Sequence, residues 1–206
     1  MMILGVTGGI ACGKSAVTEL LRAEGAIVVS ADELAREAVS PGSPVLAELV
    51  AYFGAEILRT DGELDRPRLA ARIFADPAKR LELNRITHPA IAALADERLN
   101  VLRRQGVSLI VYEAPLLFEA GAEQRVDAVL VVSASEGEQL ARLMARDNIS
   151  AADAHARIAA QLPLAAKIAR ADYVIDNSGT LASTAAQVKA LCRELRGDMP
   201  PGSDHR

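Results

Sequence analysis

The chain has 206 residues, 50% hydrophobic and 24% charged, which suits one sizeable α/β domain or a core plus a small insertion and excludes a disordered chain or a coiled-coil rod. Its 23 basic and 27 acidic residues leave a net charge of −4, so it is not built to coat nucleic acid or an anionic membrane. Three Phe, three Tyr and no Trp offer few stacking platforms for single-stranded nucleic acid.

In chain order, Ile3 to Thr7 is a short apolar run ending in Gly8-Gly9, which predicts a buried strand. A helix is expected from Lys14 to about Glu24, a second strand over Ala26 to Val29, and a helix near Asp32 to Val39 that stops at Pro41-Gly42-Ser43-Pro44. Leu46 to Phe53 reads as helical. The turn Asp61 to Pro67 leads into another helix, and Asp76-Pro77 starts one, with Asp as cap and Pro at the first position. His88-Pro89 predicts a break, followed by a long helix to about Arg104. Strands are expected at Val107 to Tyr112, Ala128 to Val132 and Tyr173 to Ile175, and helices at Ser135 to Asn148, Ser150 to Gln161 and Leu181 to Leu195. Gly197 onward reads as a frayed tail. The alternation predicts a parallel sheet covered on both faces, with residues 40–104 as a helical insertion.

The two cysteines, Cys12 and Cys192, lie at opposite ends of the chain and show no metal-ligand spacing, so a reducing cytoplasm is the expected compartment. The N-terminus lacks the basic region of a signal peptide, and no apolar run reaches about 18 residues, so no membrane span is expected.

The strongest chemical signal is Gly8-Gly9-Ile10-Ala11-Cys12-Gly13-Lys14-Ser15, a match to G-x-x-x-x-G-K-[ST] between a predicted strand and a predicted helix. Glycines let the backbone wrap a phosphate, and the helix start aims amides and a positive dipole end at it. Lys14 reaches the β- and γ-phosphates, and the Ser15 hydroxyl ligates Mg²⁺. Cys12 is either a thiol with a lowered pKa at a helix start or a small loop filler. GTPases, ATPases and small-molecule kinases share this loop, and the guanine-reading pattern Asn-Lys-x-Asp is absent.

Five further features bear on the reaction, each with an ordinary structural reading beside the functional one. Asp32 follows the second strand, where a carboxylate takes a proton from an acceptor hydroxyl, orients it through the metal, or caps a helix. Glu113 ends the strand Leu109 to Tyr112, the place for a water-mediated metal contact or for a surface acid. Arg142 and Arg146, four apart on one helix face, suit clamping a transferring phosphoryl group or form a solvated charged face. Asp172 to Gly179 is a late strand and polar turn of the kind that flanks an adenine ring. His88 is structural unless an acceptor recruits it.

Together the segments resemble the dephospho-coenzyme A kinase family over residues 3 to about 195. The likeness is carried by Gly5 to Ile10, Ala31-Asp32 with Ala35-Arg36, Asp61-Gly62 with Leu64-Asp65-Arg66, and Ile73-Phe74. It continues with His88-Pro89 and Ile91, Pro115 to Glu119, Arg142 to Asp147, and Val174 to Asn177 with Gly179. The resemblance implies ATP-dependent phosphorylation of the ribose 3′-hydroxyl of dephospho-coenzyme A, the last step of coenzyme A synthesis, with Mg²⁺. It implies an α/β P-loop kinase core over residues 1–40 and 105–195, a lid at about 142–162 within it, and a helical substrate-binding segment over 41–104; residues 197–206 remain a flexible tail. By the same likeness Gly8, Ala11, Cys12, Gly13, Lys14, Ser15, Ala16 and Asn177 bind the nucleotide, with Asn177 on the adenine side. Asp32 is the base, Lys14, Arg142 and Arg146 act on the phosphates, and Asp32, Arg66 and His88 bind the acceptor.

The chain departs from the family pattern in three places. Ala11 and Cys12 stand where Gly and Ser are usual, and because alanine disfavours positive φ the loop is expected to keep φ negative at Ala11. Ser30 replaces a frequent Asp two residues before Asp32, which weakens one water-mediated metal contact, and Glu113 replaces a common Asp. The residues alone leave open a kinase for another small nucleotide-like acceptor, or an ATP-binding switch that transfers nothing. Asp32 and the paired arginines argue against the switch, which needs no acceptor base.

Overall fold

The structure, a computed structural model, describes residues 1–73 and 76–197. Five strands form one parallel sheet: β1 (Met2–Gly8), β2 (Ile27–Ser30), β3 (Leu109–Glu113), β4 (Ala128–Ser133) and β5 (Tyr173–Asp176), in the order β2-β3-β1-β4-β5. The central strand β1 pairs on both sides, with Val6 level with Glu113 on β3 and with Leu130 on β4. Strands buried on both faces read as unbroken apolar runs, which is why Ile3 to Thr7, Leu109 to Tyr112 and Ala128 to Val132 carry almost no polar residue. The helices are α1 (Lys14–Ala23), α2 (Ala31–Ala38), α3 (Pro44–Phe53), α4 (Arg66–Ile73), α5 (Pro77–Arg104), α6 (Glu136–Asp147), α7 (Ala151–Ala159), α8 (Leu164–Ile168) and α9 (Leu181–Arg196). Side-chain oxygens of Ser43, Asp76, Ser135, Ser150 and Thr180 accept from first-turn amides and fix where α3, α5, α6, α7 and α9 begin.

The chain forms two units, one of Met1–Val28 with the chain from Gly106 onward, the other Val29–Gln105. In the first, Leu4, Val6, Val111, Leu130 and Val132 of the sheet pack with Val17, Leu21, Val188 and Leu191 of α1 and α9. In the second, α2 to α5 enclose Leu46, Leu49, Phe53, Ile57, Leu69 and Ile86. The boundary falls inside β2, so residues 29–40, expected with the nucleotide core, group with the helical unit; α2 packs on α5, and Arg98 pairs with Glu37 at 3.2 Å. Of the expected tail, Gly197 closes α9 as a left-handed cap, and residues 198–206 lie outside the described residues, as does Phe74.

Two expectations need correction here. The break at His88-Pro89 does not occur: α5 runs from Pro77 to Arg104 with Pro89 inside it. A proline in a helix interior forgoes one backbone hydrogen bond, at a cost of about 3 kcal/mol. Burial of Ile86, Thr87, Ala95 and Leu99 on both sides of Pro89 offsets that cost and carries the helix through. The short helix α8 was not expected, because Leu164 to Ile168 is too brief to show a period. Among the described residues, no helix is long and apolar enough to cross a membrane.

Candidate nucleotide and acceptor sites

The loop between β1 and α1 is built by close backbone approach. A Cβ on Gly8 would lie 2.5 Å from the Val132 carbonyl oxygen, and one on Gly13 would lie 2.1 Å from Asn177 Nδ2, so neither position tolerates a side chain. Gly13 also has φ 81 and serves as N-cap without a side-chain bond, and no acidic residue occupies the first turn of α1. The helix start therefore offers its amides and its positive dipole end to an anion. Ala16 packs into this first turn, its N–H donating to the Gly13 carbonyl at 3.0 Å, and Ser15 is exposed beside it. Ala11 corrects the expectation of a negative φ: its φ is 59, one of two positive values at non-glycine residues among those described. A left-handed alanine costs about 1–2 kcal/mol and persists only where neighbours impose it.

Lys14 Nζ contacts Glu113 Oε1 at the end of β3, with both side chains 15% exposed. The ammonium that would meet phosphate oxygens is thus held at the loop by a carboxylate. Cys12 is fully buried, and burial pushes its thiol above the ordinary range. The small-filler reading of Cys12 therefore holds over the reactive-thiolate reading.

Asn177, at the end of β5, is buried and uses both ends of its amide within the protein. Nδ2 donates to the Cys12 carbonyl at 2.8 Å, and Oδ1 accepts from Thr184 Oγ1 at 2.8 Å. Its backbone oxygen accepts from Arg142 Nη2 at 3.0 Å, and Arg142 also pairs with Glu138 at 3.0 Å. The second guanidinium nitrogen, Nη1, is buried without an acceptor, and a Cβ built on Gly13 would sit 3.7 Å from it. A buried donor left unpaired costs about 1–3 kcal/mol, so this nitrogen is suited to an acceptor brought by a ligand at the loop.

Arg146, one turn further along α6, forks onto Asp147 at 2.7 and 3.1 Å, and Arg157 joins the same carboxylate at 2.6 Å. These guanidinium bonds, that of Arg146 foremost, hold the Asp147 carboxyl below its usual range. The cluster braces the corner between α6 and α7, where Asn148 is left-handed with φ 51. So Arg142 is brought to the loop, whereas Arg146 is engaged at the corner.

In the helical unit, Asp32 is the second residue of α2 and exposed. Ser30, not Asp32, caps that helix, its hydroxyl accepting from the Glu33 N–H at 3.4 Å. Arg66 opens α4 and edges a cavity of about 260 Å³ whose walls include Leu49, Leu64, Leu69, Ile73 and Leu83. Thr87 and Ile91 of α5 line the same cavity, and His88 between them is exposed.

Two groups escaped the sequence reading. Lys167 on α8 is fully buried; its Nζ donates to Glu119 Oε1 at 2.8 Å and to the Pro115 carbonyl at 3.1 Å. Gln161, after α7, accepts from the Ile10 N–H of the loop at 2.8 Å. A single charged residue in the otherwise apolar stretch Leu162 to Ala169 was the available signal for the first; a glutamine at a helix end gave none for the second.

The profile described as dephospho-CoA kinase matches residues 2–183. A protein of Syntrophotalea carbinolica named dephospho-CoA kinase is 54% identical over 205 residues, covering 100% of this chain and 97% of its own. One of the same name from Anaeromyxobacter dehalogenans is 52% identical, covering 96% of this chain and 93% of its own. The solved dephospho-CoA kinase of Campylobacter jejuni superposes with a TM-score of 0.74 at 29% identity, covering 96% of this chain and 98% of that one. The sheet, the phosphate loop and the full-length likeness agree: this chain belongs to the dephospho-CoA kinase family.

Proposed function

We propose that the residues described above phosphorylate the ribose 3′-hydroxyl of dephospho-coenzyme A, with Asp32 as base and the Gly8 to Ala16 loop as the seat of the ATP phosphates. Family membership sets the reaction class: a transferase step with ATP as co-substrate, the last in coenzyme A synthesis. The acceptor proton goes to the Asp32 carboxylate, the 3′-oxygen attacks the γ-phosphorus, and the bond to the ADP oxygen breaks. Lys14 leaves Glu113 for the β- and γ-phosphate oxygens, and Arg142 Nη1 gains its missing acceptor from the nucleotide. Arg146, held in the proposed lid at 142–162, stabilises charge on the transferring group. Asn177 supports the loop from the adenine side.

Mg²⁺ fits this loop. Mg²⁺ characteristically takes one or two protein oxygens with phosphate oxygens and water, and the exposed Ser15 hydroxyl beside the Gly13 turn suits that donor set. Ser15, with Glu113 at the loop edge, would hold it, and it would neutralise charge on the phosphates. The exposed cation of Arg66 over an apolar cavity suits an acceptor with an anionic pyrophosphate and a long, weakly polar arm; His88 lies beside it on α5.

The observation that carries the reading is the unpaired buried donor of Arg142 beside Gly13. The test is a panel of acceptors, dephospho-coenzyme A, AMP, pantothenate and water, with products identified by mass. Transfer to the 3′-hydroxyl of dephospho-coenzyme A alone is expected. Equal transfer to AMP, or ATP hydrolysis as fast as transfer, would overturn the assignment.

A further inference from the structure

Ala11 holds a conformation that its own side chain does nothing to favour. The other left-handed non-glycine residue, Asn148, has a short polar side chain suited to that region and closes a helix. Ala11 has neither advantage; it is the third residue of the turn that the Cys12 N–H closes on the Gly9 carbonyl, and an alanine there needs support that a glycine would not.

The residues on either side of it, Ile10 and Cys12, are each held from outside the loop by a side chain. Before it, the Ile10 N–H donates to Gln161 Oε1 at 2.8 Å; after it, the Cys12 carbonyl accepts from Asn177 Nδ2 at 2.8 Å. Within the loop, the Cys12 N–H bond to the Gly9 carbonyl is longer, at 3.2 Å. Both outside partners are themselves anchored. Asn177 is fixed by Thr184 Oγ1 and, through its own N–H, by the Ser133 carbonyl, each at 2.8 Å. Next to Gln161, the Leu162 N–H donates to Glu119 Oε1, the oxygen that also receives buried Lys167. Lys167 shares the Pro115 carbonyl with Thr7 Oγ1, one residue before the loop begins.

We infer that Gln161 and Asn177 are positioning residues that together hold Ala11 left-handed and so shape the phosphate loop before nucleotide arrives. The inference rests on the reading that this loop binds the phosphates of ATP. Without the Gln161 bond the loop relaxes toward right-handed Ala11. ATP then binds to a minor fraction of the protein, and its apparent affinity falls by that fraction. Glycine at position 11 has no such preference and needs no support.

The test uses four full-length proteins: wild type, Gln161→Ala, Ala11→Gly, and the double variant. ATP affinity is measured by titration calorimetry, KM and kcat by initial rates, and folding by thermal unfolding. On the wild-type background, Gln161→Ala is expected to weaken ATP binding about 5- to 30-fold, with kcat at saturating ATP and the acceptor KM held within about twofold. On the Ala11→Gly background the same change should weaken binding by less than about twofold. If Gln161→Ala does not fold, Gln161→Met, which keeps the volume and removes the acceptor oxygen, replaces it. Equal weakening on both backgrounds would make Gln161 a direct nucleotide contact, and unchanged affinity on the wild-type background would remove it from loop positioning; either overturns the inference. Failure of the wild type itself to bind ATP would instead overturn the reading of the loop.

Discussion

The sheet unit and the helical unit hold their candidate groups in opposite ways. In the sheet unit, Lys14, Asn177 and Arg142 are engaged by Glu113, Cys12, Thr184 and Glu138, so the loop geometry is set by a hydrogen-bonded surround. In the helical unit, Asp32, Arg66 and His88 are exposed at helix starts or on a helix face, and the cavity beneath Arg66 is lined mainly by aliphatic side chains. On the proposed function, the difference follows from what each unit binds. A phosphate is recognised by backbone amides that cannot adapt singly, so they must be placed in advance. A long acceptor is met by side chains that reorient, over apolar surface that tolerates small shifts.

The largest expected effect breaks the comparison from the acceptor side. Asp32→Asn should lower kcat by about 10²–10⁴-fold while ATP affinity, by calorimetric titration, stays at the wild-type value; a fall in ATP affinity with transfer preserved would make Asp32 a metal or structural residue. On the nucleotide side, Lys14→Ala should fold normally yet lose about 3–4 kcal/mol of transition-state stabilisation, a hundredfold or more in kcat/KM. Near-normal turnover would take the loop out of the mechanism. Arg66→Ala should act on one substrate only, raising the acceptor KM about ten- to a hundredfold with the ATP KM unmoved, and an unchanged acceptor KM would place that substrate elsewhere. The smallest effect concerns how the helical unit is held together. Pro89→Ala restores a backbone donor inside α5 but also frees the unfolded chain by about 1 kcal/mol, so of the roughly 3 kcal/mol cost about 2 kcal/mol should return, a Tm rise of roughly 4–8 °C in a thermal scan. A lower Tm would mean that packing around α5 depends on the proline itself.

Much of the fold was legible in the sequence. The apolar runs at Ile3 to Thr7, Leu109 to Tyr112 and Ala128 to Val132 mark strands because both faces of a parallel sheet are buried, and the Ser, Thr and Asp caps mark helix starts. Pro89 misled, since a local breaker says nothing about the apolar contacts that carry a helix past it. The glycines and Lys14 of the loop were legible because their chemistry is local. Gln161 and Lys167 were not, because their partners Ile10 and Pro115 lie 151 and 52 residues away.

By itself, then, the sequence determined the alternation of strand and helix, the phosphate loop with its lysine, and the family. Those depend on side-chain period, on backbone freedom at glycine and on residues adjacent in the chain. Only the tertiary structure decided that Ala11 is left-handed, that the Asn177 side chain is bonded to Cys12 and Thr184, and that Arg142 keeps an unpaired donor beside Gly13. The Asn177 bonds and the Arg142 donor are set by approach between segments far apart in the chain, and Ala11 sits in the local turn from Gly9 to Cys12, whose residues Ile10 and Cys12 are bonded from afar by Gln161 and Asn177.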